Sequence, residues 1–238
     1  MNILESNFNA LKNNSYPGRG IVVGLSSDSK SIYQIYWIMG RSSNSRNRIF
    51  VQEGDFIKTK AFDDSKLEDP SLIIYYPMKK YKNCHIVTNG DQTDTICDFL
   101  SNGKSFEDAV NSRCFEPDAP NFTPRISNIV DINDPNFVCK ISVNKTINND
   151  SNYPATYIYK YKHLIPGIGF LITTYSQDGN PLPSFCGEPI HVPIFDDITA
   201  NLTAYWDCLD SENKISLFVK CIDLASGNDS ASIINKLS

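Results

Sequence analysis

The chain has 238 residues and a formal net charge of −5 at pH 7. Its hydrophobic fraction of 41% and charged fraction of 21% are ordinary for a globular chain whose core needs no disulfide or metal. The acidic balance argues against a protein that binds nucleic acid or an anionic membrane, because no overall positive field attracts phosphate groups.

The first half of the chain alternates short β-rich runs with polar turns. Residues 2–12 predict a short amphipathic helix, and the runs at 20–25 and 31–39 predict a hairpin. Further strands are predicted at residues 48–52, 55–62, 71–76 and 84–88. Two helices are predicted at 92–100 and 106–113, the second with Ser105 and Asp108 in capping-box spacing.

The second half continues in the same way. Strands are predicted at residues 124–131, 137–143, 155–162, 168–175 and 214–224, helices at 198–209 and 231–237, and a loop at 144–152. Because strands group with strands and helices arrive in pairs, we expect an α+β layered fold and a single domain over residues 1–238. The start resembles no signal peptide and no run is long enough to span a membrane, so we expect a cytoplasmic protein.

Several familiar motifs fail on spacing. The glycines from Gly18 to Gly24 read G-x-G-x-x-x-G before a strand, which is not a dinucleotide-binding turn, and Gly103-Lys104-Ser105 lacks the upstream glycine of a P-loop. The three histidines and seven cysteines show no metal-ligand spacing. We therefore expect neither a metal nor a cofactor.

The densest polar segment is Gly40 to Arg48, which holds three of the six arginines, whereas the chain has sixteen lysines. Arginine presents a rigid fork of donors that fits phosphate, so Arg41, Arg46 and Arg48 predict an anion-binding lip. The alternative is a solvated loop beside a hairpin.

Two further segments are candidates. Ile86 to Asp94 joins a strand to a helix N-terminus, where free N–H groups can hold an anion, unless Asp91 only caps that helix. Phe115 to Arg125 carries Glu116, Asp118 and Arg125 between prolines that restrict the backbone; the alternative is a rigid surface connection.

These segments share sequence motifs with a known family. The matching motifs are Pro17 to Gly20, Gly40 to Arg48, Asp69 to Tyr76, Val87 to Gly90 with Thr93-Asp94, and Thr123 to Ile126. From about residue 16 to residue 129 the chain resembles the IMP cyclohydrolase family of the archaeal type and its bacterial relatives. Beyond residue 130 the resemblance is weaker, although Thr174-Tyr175 and residues 181–189 are similar to the bacterial branch.

The resemblance implies a four-layer αββα sandwich like that of N-terminal-nucleophile hydrolases. It also implies closure of a formamido-imidazole carboxamide ribotide to inosine monophosphate (IMP) with loss of water, the last step of purine biosynthesis. About 19 residues precede the first predicted strand, which opens at Gly20-Ile21, so a self-processed N-terminal nucleophile is not expected.

The resemblance also implies catalytic residues. Arg46 matches the family's active-site arginine, for the anion or oxyanion, and Tyr75 its tyrosine, for the formyl oxygen, with Tyr76 as the alternative. Glu116 and Asp118 match its acidic pair, and either one would take the carboxamide proton. The family has two glutamates there, so Asp118 has a shorter reach.

The remaining expectations concern binding. Candidate substrate contacts are Arg19, Arg41, Asn44, Arg48, Asn89, Gly90, Asp91, Thr93 and Arg125. Arg19, Arg41 or Arg48 would meet the phosphate, and Arg125 would contact substrate or pair with Asp118. We expect a small ribotide as the ligand and a homo-oligomer. The alternative functions are a non-catalytic purine-nucleotide-binding protein and an amide hydrolase on the same scaffold.

Overall fold

The computed structural model describes residues 2–237. Over these residues the chain forms thirteen strands in two antiparallel sheets and five α-helices. The helices are α1 (Ile3–Lys12), α2 (Ser43–Arg46), α3 (Gln92–Ser101), α4 (Phe106–Asn111) and α5 (Ile198–Cys208). This arrangement confirms the predicted α+β class. Within the same residues, no helix combines the length and the apolar character needed to cross a membrane.

Each sheet is built from neighbouring antiparallel strands. Sheet A has, in spatial order, β11 (Ile190–Pro193), β10 (Ile168–Thr173), β1 (Gly20–Leu25), β2 (Ser31–Met39), β12 (Lys214–Asp223) and β13 (Asp229–Asn235). Sheet B has, in spatial order, β3 (Arg48–Glu53), β4 (Phe56–Ala61), β5 (Met78–Tyr81), β6 (Cys84–Thr88), β7 (Arg125–Asp131), β8 (Cys139–Ile147) and β9 (Asp150–Tyr161).

Strand β2 shows how the sheets pack, because its side chains alternate between two cores. Tyr36 and Ile38 join the core between the sheets, which also contains residues of β6, β7 and β8. Trp37 and Met39 point to the other face, where α1 and α5 cover sheet A. Both β1 and β2 are almost entirely buried, since each strand is covered on its two faces.

A third core covers the outer face of sheet B. Ile96 of α3 and Phe106 of α4 pack there with Ile86 and Ile129 of the sheet. The predicted capping box is confirmed: the Ser105 hydroxyl accepts from the Asp108 N–H, and the Asp108 carboxylate accepts from the Ser105 N–H. The predicted hairpin of β1 and β2 is also confirmed.

The prediction of a helix at residues 231–237 was wrong, because this segment belongs to edge strand β13. Its two adjacent isoleucines explain the change. Ile233 packs toward the core between the sheets, and Ile234 packs toward the core on the helix side. β-branched residues that serve opposite faces suit a strand, and pairing with β12 outweighs the local helical spacing.

The prediction of a strand at residues 71–76 was also wrong. Ile74 N–H donates to the Pro70 carbonyl, which makes a turn, and the chain resumes a strand only at Met78. The backbone of this segment is bonded to a side chain of β4. The Thr59 hydroxyl accepts from the Tyr75 N–H at 2.7 Å and donates to the Ile73 carbonyl at 2.8 Å. This local side-chain bonding competes with sheet formation.

The predicted loop at residues 144–152 is the tight end of a long hairpin. β8 extends to Ile147 and β9 begins at Asp150. Asn148 and Asn149 have φ angles of 52° and 58°, the left-handed conformation that both central residues of a type I′ turn require. Two asparagines therefore make a two-residue turn where their polarity alone suggested a loop.

Candidate active site

A polar cleft of about 260 Å³ opens where β1 and β3 begin and β2 ends. Its lining residues are Tyr16, Arg19, Met39, Arg41, Ser42, Ser45, Arg48, Asp118, Asn121, Thr123, Tyr175 and Leu182. The cleft brings together three arginines, two tyrosines and a carboxylate from four distant parts of the sequence.

Arg19, one of the lining residues, forms an ion pair with the buried Glu116. Glu116 is 2% exposed, and its Oε2 lies 3.6 Å from Arg19 Nη1. Its Oε1 accepts only a long bond of 3.4 Å from Asn89 Nδ2. Burial raises the pKa of the Glu116 carboxyl, and the positive charge of Arg19 opposes that shift only in part. Glu116 is thus a buried carboxyl that can hold or release a proton, as a general acid or base requires.

Arg19 and Arg48 carry guanidinium nitrogens that other residues leave free. Arg48 is 1% exposed, and its Nε donates to the Ser45 carbonyl at 2.7 Å. Among residues 2–237, Arg48 Nη1 and Arg19 Nε have no hydrogen-bond partner. Burial, together with the nearby charge of Arg19, lowers the pKa of Arg48, whereas for Arg19 burial is outweighed by the charges of Glu116 and nearby tyrosines, which raise the pKa. Buried donors without partners are costly, so both arginines suit an anionic or strongly polar ligand.

Two tyrosine hydroxyls lie beside these arginines. Tyr36 and Tyr75 are both buried, and their hydroxyl oxygens are 2.8 Å apart. Both arginines are close enough to influence these hydroxyls electrostatically. Of the two candidate tyrosines, Tyr75 lies beside these arginines, whereas the Tyr76 hydroxyl donates to Glu53 at 2.9 Å. We call Arg19, Tyr36, Arg48, Tyr75 and Glu116 the site cluster.

Asp118 does not reach the site cluster directly. Its Oδ1 accepts from the Thr123 N–H at 2.7 Å, and its Oδ2 bonds to the Thr123 hydroxyl. The Thr123 hydroxyl also bonds to the Tyr175 hydroxyl. Tyr175 is 3% exposed and, like Asp118 and Thr123, lines the cleft, so the three side chains form one hydrogen-bonded chain along its wall.

The segment around Asn89 is a hydrogen-bonded support. The Asn89 amide donates to the Pro124 carbonyl at 2.9 Å, and its Oδ1 accepts from the Ile126 N–H at 2.8 Å. A β-carbon at Gly90 would lie 2.8 Å from Arg125 Nη1, so the glycine lets that arginine approach. The Thr93 hydroxyl bonds to the Thr88 hydroxyl at 2.7 Å.

Asp91 and Arg125 form an ion pair of 2.7 Å. Arg113 binds the same carboxylate through Nη2, at 2.7 and 2.6 Å to its two oxygens. The Asp91 side chain therefore holds two arginines, while its backbone forms the N-cap of α3. The alternative pairing of Arg125 with Asp118 is not observed, because Asp118 bonds to Thr123 and Arg125 bonds to Asp91 and Gln92.

The three arginines of the polar lip have different surroundings. Arg41 lines the cleft mouth, pairs with Asp178 at 2.7 Å and lies 4.8 Å from the ring centre of Tyr16. Arg46 is exposed and donates to the Gly40 carbonyl and to Asn213, away from the lining residues. Asn44 accepts a long bond from the Glu68 N–H. Of these three arginines, Arg48 belongs to the site cluster and Arg46 does not.

Sequence reasoning missed Tyr36, Thr123 and Tyr175 as site residues. Tyr36 carried one signal: with Gln34, it places polar atoms on the face of β2 that alternation assigns to the core between the sheets. Thr123 and Tyr175 carried none beyond the family motifs, because 52 residues separate them. Over residues 2–237, no group of three histidine, cysteine, aspartate or glutamate side chains could hold a metal ion.

Fold and site together define a two-sheet α+β protein with a buried cluster of arginines, tyrosines and one carboxyl at one end of the sheets. Residues 16–228 match the family described as IMP cyclohydrolase-like protein, and the chain belongs to this family. A curated IMP cyclohydrolase of Methanopyrus kandleri is 37% identical over 126 residues. That match covers 49% of this chain and 59% of the relative, so the chain spans less than two thirds of the relative's length.

Proposed function

We propose that this protein is an IMP cyclohydrolase, which closes 5-formamidoimidazole-4-carboxamide ribotide to IMP with loss of water. The observation that carries the proposal is the site cluster itself, in which a buried carboxyl with a raised pKa lies beside arginines with free donors and a tyrosine pair. Family membership and the relative named IMP cyclohydrolase support the same reaction.

The reaction sets three demands. The carboxamide nitrogen must attack the formyl carbon, the formyl oxygen must be stabilised as it gains charge, and that oxygen must leave as water. The water takes one proton from the carboxamide nitrogen and one from the formamido nitrogen. Because both reacting groups belong to one molecule, holding them in contact supplies much of the rate.

The site cluster can meet the second and third demands. Burial raises the pKa of Tyr36, so this hydroxyl keeps its proton. Either oxygen could donate in its hydrogen bond to Tyr75, and we assign Tyr36 as the donor. The Tyr75 O–H is then free to donate to the formyl oxygen, while Arg48 stabilises the charge there. Glu116 moves the proton of the formamido nitrogen to the leaving oxygen.

This assignment transfers the anion-stabilising role from Arg46 to Arg48, because Arg48 is the buried residue of the pair and lies near Tyr75. Arg41 suits the 5′-phosphate, since it stands at the cleft mouth and remains partly exposed. Asn89, Gly90 and Thr93 would act as support beneath the substrate, with their side chains bonded within the protein.

We extend the proposal to the fold. The three apolar cores place α1 and α5 outside sheet A, and α3 and α4 outside sheet B. This order supports an αββα sandwich of the kind found in N-terminal-nucleophile hydrolases. The homo-oligomeric state and the cytoplasmic location stay predictions, and light scattering on the purified chain tests the first.

The test is incubation of the purified protein with the formamido ribotide, followed by chromatography for IMP. We expect conversion well above the uncatalysed rate. A folded protein that binds IMP in calorimetry but forms none would instead be a nucleotide-binding protein. Intact mass tests the hydrolase alternative, because a self-processed enzyme would begin at a new residue.

A further inference from the structure

A second group of polar side chains lines the same cleft as Arg48. It consists of Asp118, Thr123 and Tyr175, linked by hydrogen bonds. Both Asp118 oxygens are bonded to Thr123, Oδ1 to its N–H and Oδ2 to its hydroxyl, so the carboxylate is already committed to the first member of this chain. We propose that Asp118 removes the carboxamide proton indirectly, through a relay of the Thr123 and Tyr175 hydroxyls; this inference rests on the proposed function.

The direction of the relay follows from the acceptor at its end. An ionised carboxylate can only accept, so the Thr123 hydroxyl donates to Asp118. The Thr123 oxygen then accepts from the Tyr175 O–H. Every proton in the chain points toward Asp118, and the Tyr175 oxygen keeps a lone pair for a proton that arrives from the cleft.

The proton transfer balances. As the bond forms between the carboxamide nitrogen and the formyl carbon, the N–H bond breaks and its proton passes to the Tyr175 oxygen. Tyr175 passes its own proton to Thr123, and Thr123 passes its proton to Asp118. Asp118 is then a neutral carboxylic acid. The relay next runs in reverse and gives this proton to the leaving oxygen, which departs as water together with the proton of the formamido nitrogen.

The backbone holds Tyr175 in place. Gly18 has a φ angle of 74°, and a β-carbon there would lie 2.6 Å from Tyr175 Cδ2 and 2.2 Å from Thr174 Oγ1. The glycine therefore lets the chain pack directly against the ring. The Tyr16 ring stacks on the other side at 6.0 Å between centres. A tyrosine packed in this way presents its hydroxyl in one position.

Thr123 is also held at a cost. Phe122, directly before it, has a φ angle of 46°, a left-handed conformation that is unusual for a bulky residue. Its ring packs on Phe115 at 5.4 Å between centres. The Thr123 side chain is fully buried. Strain of this kind is concentrated where a protein must aim one side chain.

In this relay Tyr175 is the catalytic residue, and Thr123 and Asp118 are positioning residues that act through it. Thr123→Val removes the hydroxyl but keeps the shape, whereas Thr123→Ser keeps the hydroxyl. We expect Thr123→Val and Tyr175→Phe each to lower kcat by about 10²-fold with KM within about threefold. Thr123→Ser should restore kcat to within about tenfold of wild type.

The double variant gives the sharpest readout. Members of one relay act as a unit, so Thr123→Val with Tyr175→Phe should lose no more kcat than either alone. The matched control is Thr146→Val, which removes a buried hydroxyl that has no hydrogen-bond partner within residues 2–237. It should leave kcat and KM unchanged, and near-ultraviolet circular dichroism should show all variants folded.

The outcomes separate the relay from the proposed function. Turnover by the wild type with unchanged kcat in Thr123→Val, or strictly additive losses in the double variant, overturns the relay and leaves the cyclohydrolase proposal standing. A loss confined to KM also overturns it, since that result indicates binding alone. Absence of turnover by the folded wild type overturns the proposed function and the relay with it.

Discussion

The space between the two sheets holds two groups of buried charges, which differ in how they are paired. The lysine cluster consists of Lys80, His85, Lys220 and Asp229. Lys220 is fully buried, with its Nζ 3.0 Å from Asp229 Oδ1, and Lys80 binds the same carboxylate at 2.5 Å. In the site cluster, by contrast, Arg19 and Glu116 are 3.6 Å apart.

This difference separates structural charges from functional ones. The lysine cluster joins β12 and β13 of sheet A to β5 and β6 of sheet B, so its pairing holds the two sheets together. Among residues 2–237, Arg19 Nε and Arg48 Nη1 of the site cluster and His85 Nδ1 of the lysine cluster have no hydrogen-bond partner. Only in the site cluster do such atoms belong to charged guanidinium groups, which costs stability and suits an anionic ligand. Altering the two clusters should therefore give opposite patterns of stability and activity.

The largest expected effect is that of Glu116→Gln. Glutamine cannot exchange the proton, so kcat should fall by about 10³-fold. The raised pKa of Glu116 means that ionisation at neutral pH costs folding free energy, and the neutral amide removes this cost. We expect a higher Tm at pH 7, measured by differential scanning fluorimetry. Exposed Glu68→Gln is the control, and unchanged kcat in Glu116→Gln would contradict its role.

Lys220→Met should show the reverse pattern. Removing one partner leaves Asp229 without its buried counter-charge and should lower the free energy of unfolding by about 3 kcal/mol. The kcat of the folded fraction should stay within about twofold of wild type. Urea unfolding and the IMP assay measure the two quantities. A large loss of kcat at unchanged stability would show that the lysine cluster is functional.

Arg48→Ala and Arg46→Ala compare a buried arginine with an exposed one. Loss of a charged donor at the developing oxyanion should lower kcat by about 10²-fold in Arg48→Ala. Arg46→Ala should lower kcat by no more than about threefold, since its exposed guanidinium bonds to Gly40 and Asn213. The opposite ranking would return the anion-stabilising role to Arg46.

His85 makes the lysine cluster sensitive to acid. Burial first, and Lys220 second, lower the pKa of His85 to about 3, while Asp229 opposes this shift. The unfolded histidine has a pKa of about 6.5, so the stability contribution is complete above pH 6.5 and is lost as the pH falls toward 3. His85→Gln should reduce the fall in Tm between pH 7 and 5, by an amount equivalent to about 1–2 kcal/mol. An identical fall in both proteins would contradict this account.

Within the site cluster, the smallest expected loss of kcat is that of Tyr75→Phe, and the adjacent Tyr76 provides its control. Tyr75→Phe loses one hydrogen bond to the formyl oxygen, worth about 1.4 kcal/mol, and kcat should fall by about tenfold. Tyr76→Phe loses only an exposed bond to Glu53, so kcat should not change. Equal effects of the two substitutions would contradict the placement of Tyr75 in the site cluster.

Local patterns were enough to predict most of the strands and the α+β class. They failed where distant partners decide the structure. Ile233, Ile234 and Leu237 have helical spacing. The segment is nevertheless a strand, because it pairs with β12. Residues 71–76 had strand composition, but the Thr59 hydroxyl binds their backbone. Neither partner can be identified from a window of neighbouring residues.

The candidate site shows the same limit. Motifs pointed to Tyr75, Glu116 and Arg48, which the fold brings together. They assigned the catalytic role to Arg46 and only a substrate contact to Arg48. The two are separated by two positions, and which of them is buried depends on where β3 begins. Tyr175 reaches the cleft only through the pairing of β10 with β1, which no local pattern reveals.

The central claim is that the site cluster binds the ribotide, and a crystal structure with IMP bound tests it most directly. We predict IMP oxygens or nitrogens within about 2.6–3.2 Å of guanidinium nitrogens of Arg48 and Arg19, the two buried arginines that line the cleft. IMP bound instead in the separate cleft lined by Tyr157, Tyr159 and Cys186, with no contact to Arg19 or Arg48, would contradict the account.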